Sequence, residues 1–154
     1  MKKKYPKIAG MFCVALATAS AGFIYYQNSQ SPEVGVKDGR FRPLSSKPNN
    51  ISTQASEPEK RVDPLEFKAT AKETSTALII AIHSVGKATL EVEDEDYLHA
   101  VFTTPLMRFH DDAEFWLDVE EKLVHVRSAS RAGYSDMGMN RRRYQKLAEI
   151  YKNL

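Results

Sequence analysis

Cysteine is nearly missing from this 154-residue chain. Cys13 is the single one, which excludes an internal disulfide framework and any multi-cysteine zinc or iron–sulfur centre. No acidic residue occurs before Glu33. The sequence also lacks a phosphate-binding glycine loop, a dinucleotide fingerprint, a His-Glu-x-x-His pair and a Gly-x-Ser-x-Gly elbow, and with them the common nucleotide-binding, zinc-protease and serine-hydrolase motifs. There are no internal repeats and no long low-complexity tract. The length accommodates one compact domain and a tail, and excludes two catalytic lobes.

What is present has the balance of an ordinary globular domain, with 42% hydrophobic and 27% charged residues. The formal net charge of +2 is unevenly distributed. Lys2, Lys3, Lys4 and Lys7 crowd the start, and removing those four from the 22 basic residues leaves 18 against 20 acidic ones. The body is therefore slightly acidic and gives no support for a nucleic-acid partner.

After the lysines, Ile8 to Tyr26 is a 19-residue run without charge. As a helix it would reach about 28 Å, roughly one hydrocarbon core. Residues 1–26 fit two descriptions. One is a retained single-span anchor, with Tyr25 and Tyr26 at the membrane interface. The other is an export signal with Ala19-Ser20-Ala21 as its cleavage site. Both place the body outside the cytoplasm, so the expected location is a bacterial cell envelope. In the first case the domain is anchored in the inner membrane and faces the periplasm or the outside; in the second it is secreted to the periplasm. Cys13 follows Met11-Phe12 rather than small residues, which argues against lipidation.

Residues 27–62 turn rich in Ser, Asn, Gln and Pro, and read as a flexible tether that is partly docked from about Phe41. An α+β domain is expected over 63–154. Asp63-Pro64-Leu65-Glu66 has the form of a helix start, and Phe67, Ala71, Leu78, Ile82 and Val85 give that helix an apolar face ending at Gly86. Four period-two segments follow: Leu90/Val92, Leu98/Ala100/Phe102, Phe115/Leu117/Val119 and Val124/Val126. Asp94–Asp96, the loop Pro105–Asp112 and Glu121-Lys122 separate them. A last helix runs from about Asn140, its expected N-cap, to Asn153. The predicted architecture is a two-layer α+β fold in the order helix, four-strand antiparallel meander, helix. Two helices cover one sheet face, which leaves Glu91, Glu93, Tyr97, His99, Glu114, Trp116, His125 and Arg127 on a face that is either solvated or a binding surface.

The segment Arg127 to Arg143 is the densest in specific chemistry. A strand runs into a glycine-bounded turn and then a helix start, where free amides and the helix dipole favour anions. Arg127, Ser128, Ser130, Arg131, Ser135, Asp136, Asn140 and Arg141 are the candidate ligand-binding residues, with Arg127 and Arg131 as a fork for a carboxylate or phosphate. The competing reading is a structural latch. In it Asp111, Asp112 and Glu114 fall opposite Arg127–Arg131 and form cross-strand ion pairs, while Asp136 or Ser135 satisfies turn amides. Arg141-Arg142-Arg143 is an unfavourable helix start electrostatically, and calls for carboxylates, anionic lipid headgroups or a ligand nearby.

Asp111-Asp112-Ala113-Glu114-Phe115 followed by Arg127–Arg143 resembles the signature of the domain-of-unknown-function family numbered 1499, and Pro48-Asn49-Asn50-Ile51-Ser52 resembles its upstream motif. The likeness runs from about Phe41 to Leu154. It implies a small exported or membrane-attached protein, with plastid relatives in photosynthetic organisms, and no established activity. The family's motif carries cysteine where Asn50 stands here, so cysteine chemistry does not carry over.

Two further constellations are weak on spacing alone. His99, His125 and Glu114 form a two-histidine, one-carboxylate metal set only if strand register permits. Ser135, His125 and Asp136 make a hydrolase triad only with unusual geometry. No metal and no cofactor are expected. Two functional readings remain. The favoured one is a membrane-attached binding or accessory module, whose partner is an anionic lipid, a small molecule or a protein. The alternative is a small enzyme on an anionic substrate, with Asp111, Asp112 or Glu114 as general base.

Overall fold

The computed structural model describes residues 18–154. The greater part of the uncharged leader lies outside the described residues. Helix α1 covers 18–29 of them, and no helix among the described residues is long and apolar enough to cross a membrane.

The meander forms as the alternation predicts. Strands β5 (Ala88–Glu93), β6 (Tyr97–Thr103), β7 (His110–Asp118) and β8 (Leu123–Ser130) pair antiparallel in sequence order. Leu98, Ala100, Phe102, Phe115, Leu117, Val124 and Val126 all point to one face and enter the core. Against it lie α2 (Ala71–Ser84) and α3 (Met139–Lys152), through Leu78, Ala81 and Ile82 from one and Tyr144, Leu147 and Tyr151 from the other. The fold is α+β, with a mostly antiparallel sheet. Strand β7 starts at His110, so the expected loop ends earlier, at Phe109. Val119 falls beyond the end of β7 and is exposed.

Asp63-Pro64-Leu65-Glu66 does not open a helix. Leu65–Glu66 is strand β4, paired with Val124 and Leu123 of β8. The extended backbone there serves α3: the Tyr144 hydroxyl donates to Asp63 O and the Tyr151 hydroxyl to Glu66 O. Helix α2 begins after Thr70, whose side chain accepts from Glu73 N. Buried Thr74 locks the junction, donating to Thr70 O at 2.8 Å and accepting from Lys68 N at 3.0 Å. Val85 rather than Gly86 closes the helix, its amide reaching Ile82 O.

The stretch expected as a tether is more ordered than its composition implied. Val36–Lys37 (β1) and Arg40–Phe41 (β2) form a small hairpin, and Asn50–Ser52 (β3) adds a further strand to β8. Ile51, Ala55 and Val62 are buried. Residues 28–42 act as a strap over the β7 and β8 part of the second sheet face, meeting Glu114, Arg127 and Trp116, whereas Glu91 and Glu93 of β5 stay exposed as two helices would leave them. Glu114, Arg127 and His99 are all buried on it. Gly39, at φ +70°, brings its backbone close enough that a Cβ would lie 3.5 Å from the Trp116 ring.

Candidate functional site

Strand parity sorts the charged residues of β7 and β8 onto opposite faces. Asp111 shares the helix-side face with Ala113 and Phe115, whereas Asp112 and Glu114 face the strap. The three carboxylates therefore do not gather. Each is buried and meets its own arginine.

On the strap face, Glu114 is opposite Arg127 in register. Its Oε2 accepts from Arg127 Nη1 at 2.6 Å, and its Oε1 accepts from the Tyr97 hydroxyl at 2.8 Å and Gly35 N at 2.7 Å. Arg127 Nε donates to Arg42 O. One ion pair thus fastens the strap at two points. Further along, Arg131 grips Asp112 with two parallel bonds of 2.8 Å, from Nε to Oδ2 and from Nη2 to Oδ1. His99 Nε2 lies 2.9 Å from the same Oδ1. Burial raises the Asp112 carboxyl, but the bonds from Arg131 and His99 outweigh it and hold it below the usual carboxylate range. The bond to Asp112 pushes Arg131 upward. Burial and the adjacent Glu114 push the Tyr97 phenol up too.

On the helix face, Asp111 accepts from Ser130 Oγ and from Arg143 Nη2 at 2.6 Å. Asn140 stands at the centre. Its Oδ1 accepts from Ser128 Oγ at 2.7 Å and Arg143 Nη1 at 3.1 Å, and its Nδ2 donates to Asn49 O at 3.1 Å and Ser130 Oγ at 3.0 Å. Both ends of the amide are satisfied. The network ties β7, β8, α3 and the residue that leads into β3, Asn49, together beneath the sheet.

The helix start that was expected to attract an anion already holds one. Asp136 accepts from Gly138 N at 3.0 Å and Asn140 N at 2.7 Å, and Ser135 Oγ accepts from Met137 N. Asn140 is consequently not the N-cap. Gly138 takes that position at φ +76°, and the cap is supplied by Asp136 from two residues before it. Arg127 and Arg131 do not make a fork, because each guanidinium is spent on a different carboxylate. The expected loose facing of Asp111, Asp112 and Glu114 to Arg127–Arg131 resolves into three separate pairs. The third uses Arg143, which strand spacing alone did not single out. Once α3 is known to start near 139, β7 parity would have pointed to it.

Of the candidate ligand-binding residues, Asp136 and Arg141 line a cavity of about 450 Å³; Asn50, Glu57, Glu59, Lys60 and Tyr134 wall it as well. Lys60 is buried, and its Nζ donates to Ser45 O at 2.9 Å and Glu57 Oε1 at 3.3 Å. Arg141 Nη2 donates to the carbonyls of Glu59 and Arg61. Asn50 Nδ2 has acceptors in Ser45 and Lys47, whereas its buried Oδ1 has no partner. Arg127, Ser128, Ser130 and Arg131 do not line this cavity, nor does Ser135.

The histidine constellations do not assemble. His99 is bonded to Asp112, Glu114 to Arg127, and His125 stacks on Trp116 with Nδ1 near Thr53 Oγ1. A different group, Asp118, Glu121 and His125, has one potential ligand atom from each residue, all within 4.8 Å of one another. Asp118 Oδ1 already accepts from the amides of Glu120 and Glu121 in the hairpin turn.

Against known proteins, residues 40–150 match a family model described as "Protein of unknown function (DUF1499)". No curated protein and no solved structure matches the chain.

Proposed function

The chain belongs to the DUF1499 family of proteins of unknown function, and from that premise we propose that it is a binding or accessory module, not an enzyme, held at a membrane of the cell envelope. In this reading the Arg127–Arg143 segment is a latch that shapes the neighbouring cavity, and the ligand carries an anionic group. One observation carries the choice over an enzyme: Asp111, Asp112 and Glu114 are each buried and bound to an arginine. A carboxylate held in that way is a poor general base, since taking a proton would break its ion pair. The ligand's charge would meet Arg141, which forms no ion pair among the described residues, since Lys60 is already paired with Glu57; a donor on it would satisfy Asn50 Oδ1. Attachment is supported by the lysine cluster before an uncharged run, the charge order of a segment whose following domain lies outside the cytoplasm.

Native mass spectrometry of the full chain, purified from membranes, tests this reading. A copurifying anion is expected in the unaltered chain and absent from Arg141→Ala, whose thermal stability stays close to the parent. Arg131→Ala, by contrast, loses stability first. A ligand that survives Arg141→Ala overturns the cavity assignment, as does a chain that carries none.

A further inference from the structure

One end of the sheet gathers features that neither the latch nor the cavity uses. The β6–β7 loop, residues 104–109, exposes Leu106 to 90% and Met107 to 44%. Beside them is the end of α1. Asn28 Nδ2 donates to Arg108 O at 3.0 Å, Asn28 Oδ1 accepts from His110 N at 2.7 Å, and the Tyr25 ring lies 6.3 Å from that of Phe109. Phe23, Tyr25 and Tyr26 on the same helix are exposed as well. The end of α1 is therefore bonded to this loop at Asn28, two residues beyond the uncharged run, and Tyr25 of the run rests against Phe109.

The loop also borders a groove of about 350 Å³ between Pro105 and the start of α3. Its charged lining consists of Lys87, Arg142, Arg143 and Lys146, with no carboxylate. Arg143 is committed to Asp111 and lies over the Phe102 ring; the other three form no ion pair among the described residues. Apolar tips flanked by unneutralised cations, at the point where an uncharged segment leaves the domain, match an anionic bilayer surface.

We propose that this end of the domain sits on the membrane, with Leu106 and Met107 entering the interfacial layer and Lys87, Arg142 and Lys146 holding the phosphates of anionic lipid headgroups. The inference rests on the membrane attachment proposed above and adds the orientation: the sheet stands with its β6–β7 end down. Strand β7, nine residues long, puts the β7–β8 hairpin roughly 30 Å away at about 3.3 Å per residue.

The test uses the full chain with Trp116→Phe, which removes the single tryptophan, and places a new one at Leu106→Trp or at Val119→Trp. Each is floated with phosphatidylcholine vesicles carrying brominated acyl chains, with or without phosphatidylglycerol. The expected result is co-flotation, with emission from position 106 strongly quenched when phosphatidylglycerol is present and emission from position 119 unchanged. Adding Lys87→Gln, Arg142→Gln and Lys146→Gln should weaken surface attraction by about fivefold per charge and remove the phosphatidylglycerol dependence. Flotation with equal quenching at the two positions, or none at 106, overturns the seat and leaves attachment standing. Failure to float overturns both. Quenching at 106 that ignores phosphatidylglycerol and the three glutamines overturns the headgroup contacts. Hydrogen exchange on the unsubstituted chain gives an independent reading: vesicles should protect the amides of Leu106 and Met107 and leave those at 119–122 as they were, and no such difference counts against the seat.

Discussion

Arg131 holds Asp112 through a planar, two-bond contact that no other cation reproduces. Removing the guanidinium leaves a carboxylate that is almost fully buried, so Arg131→Ala should lose about 3–5 kcal/mol in urea denaturation. Arg131→Lys should recover only part of this, because one ammonium cannot match both oxygens. The pH dependence follows from the lowered Asp112 carboxyl. The unfolded chain binds that proton more readily, so the stability from the pair is complete above the unfolded value of about 3.9 and is lost as pH falls through the lower folded value. In Arg131→Ala, burial is no longer outweighed to the same degree, and the decline on acidification should be shallower; urea midpoints followed from neutral to acid pH would show it. On the other face, Asn140→Ala leaves the buried Ser128 hydroxyl without its acceptor and Ser130 Oγ without a donor, and should destabilise by about 1–3 kcal/mol.

At the level of elements, α3 depends on contacts that are not periodic in sequence. Asp136→Ala removes the acceptor for two amides of its first turn and should lose about 1 kcal/mol, with faster hydrogen exchange at Gly138 and Asn140. Tyr144→Phe and Tyr151→Phe should each lose about 1 kcal/mol through their bonds to Asp63 O and Glu66 O. The four meander strands were legible because one face is apolar and the period is two. Strand β4 was not, since Asp63-Pro64-Leu65-Glu66 satisfies the local pattern of a helix start, and only pairing with β8 and the tyrosines of α3 overrides it. Strand β3 is too short to show a period. The facing of the β7 carboxylates to Arg127–Arg131 was legible from the meander, but the partners were not. The turn spans residues 119–122 rather than Glu121-Lys122 alone, which sets Arg127 opposite Glu114, and Arg143 with Asp111 needs the position of a helix across the sheet. The acceptors of the turn and of the α3 start lay within reach of sequence reasoning, in Ser135 for Met137 N and Asp136 for Gly138 N and Asn140 N.

For the whole molecule, the strap makes the domain larger than its regular elements. A chain beginning at Asp63 would lack Gly35 N and Arg42 O, which meet Glu114 and Arg127, and would also lack β3. We expect it to be unfolded or aggregated by circular dichroism and size-exclusion chromatography, whereas a chain beginning at Asn28 keeps every one of those partners. The strap also has a spectroscopic consequence. The lone tryptophan, Trp116, lies under Gly39 and against the His125 ring, so its fluorescence is an intrinsic, label-free gauge of whether the N-terminal cover is on or off. A red shift in its emission that precedes the loss of helical ellipticity would register release of the cover as an event distinct from global melting.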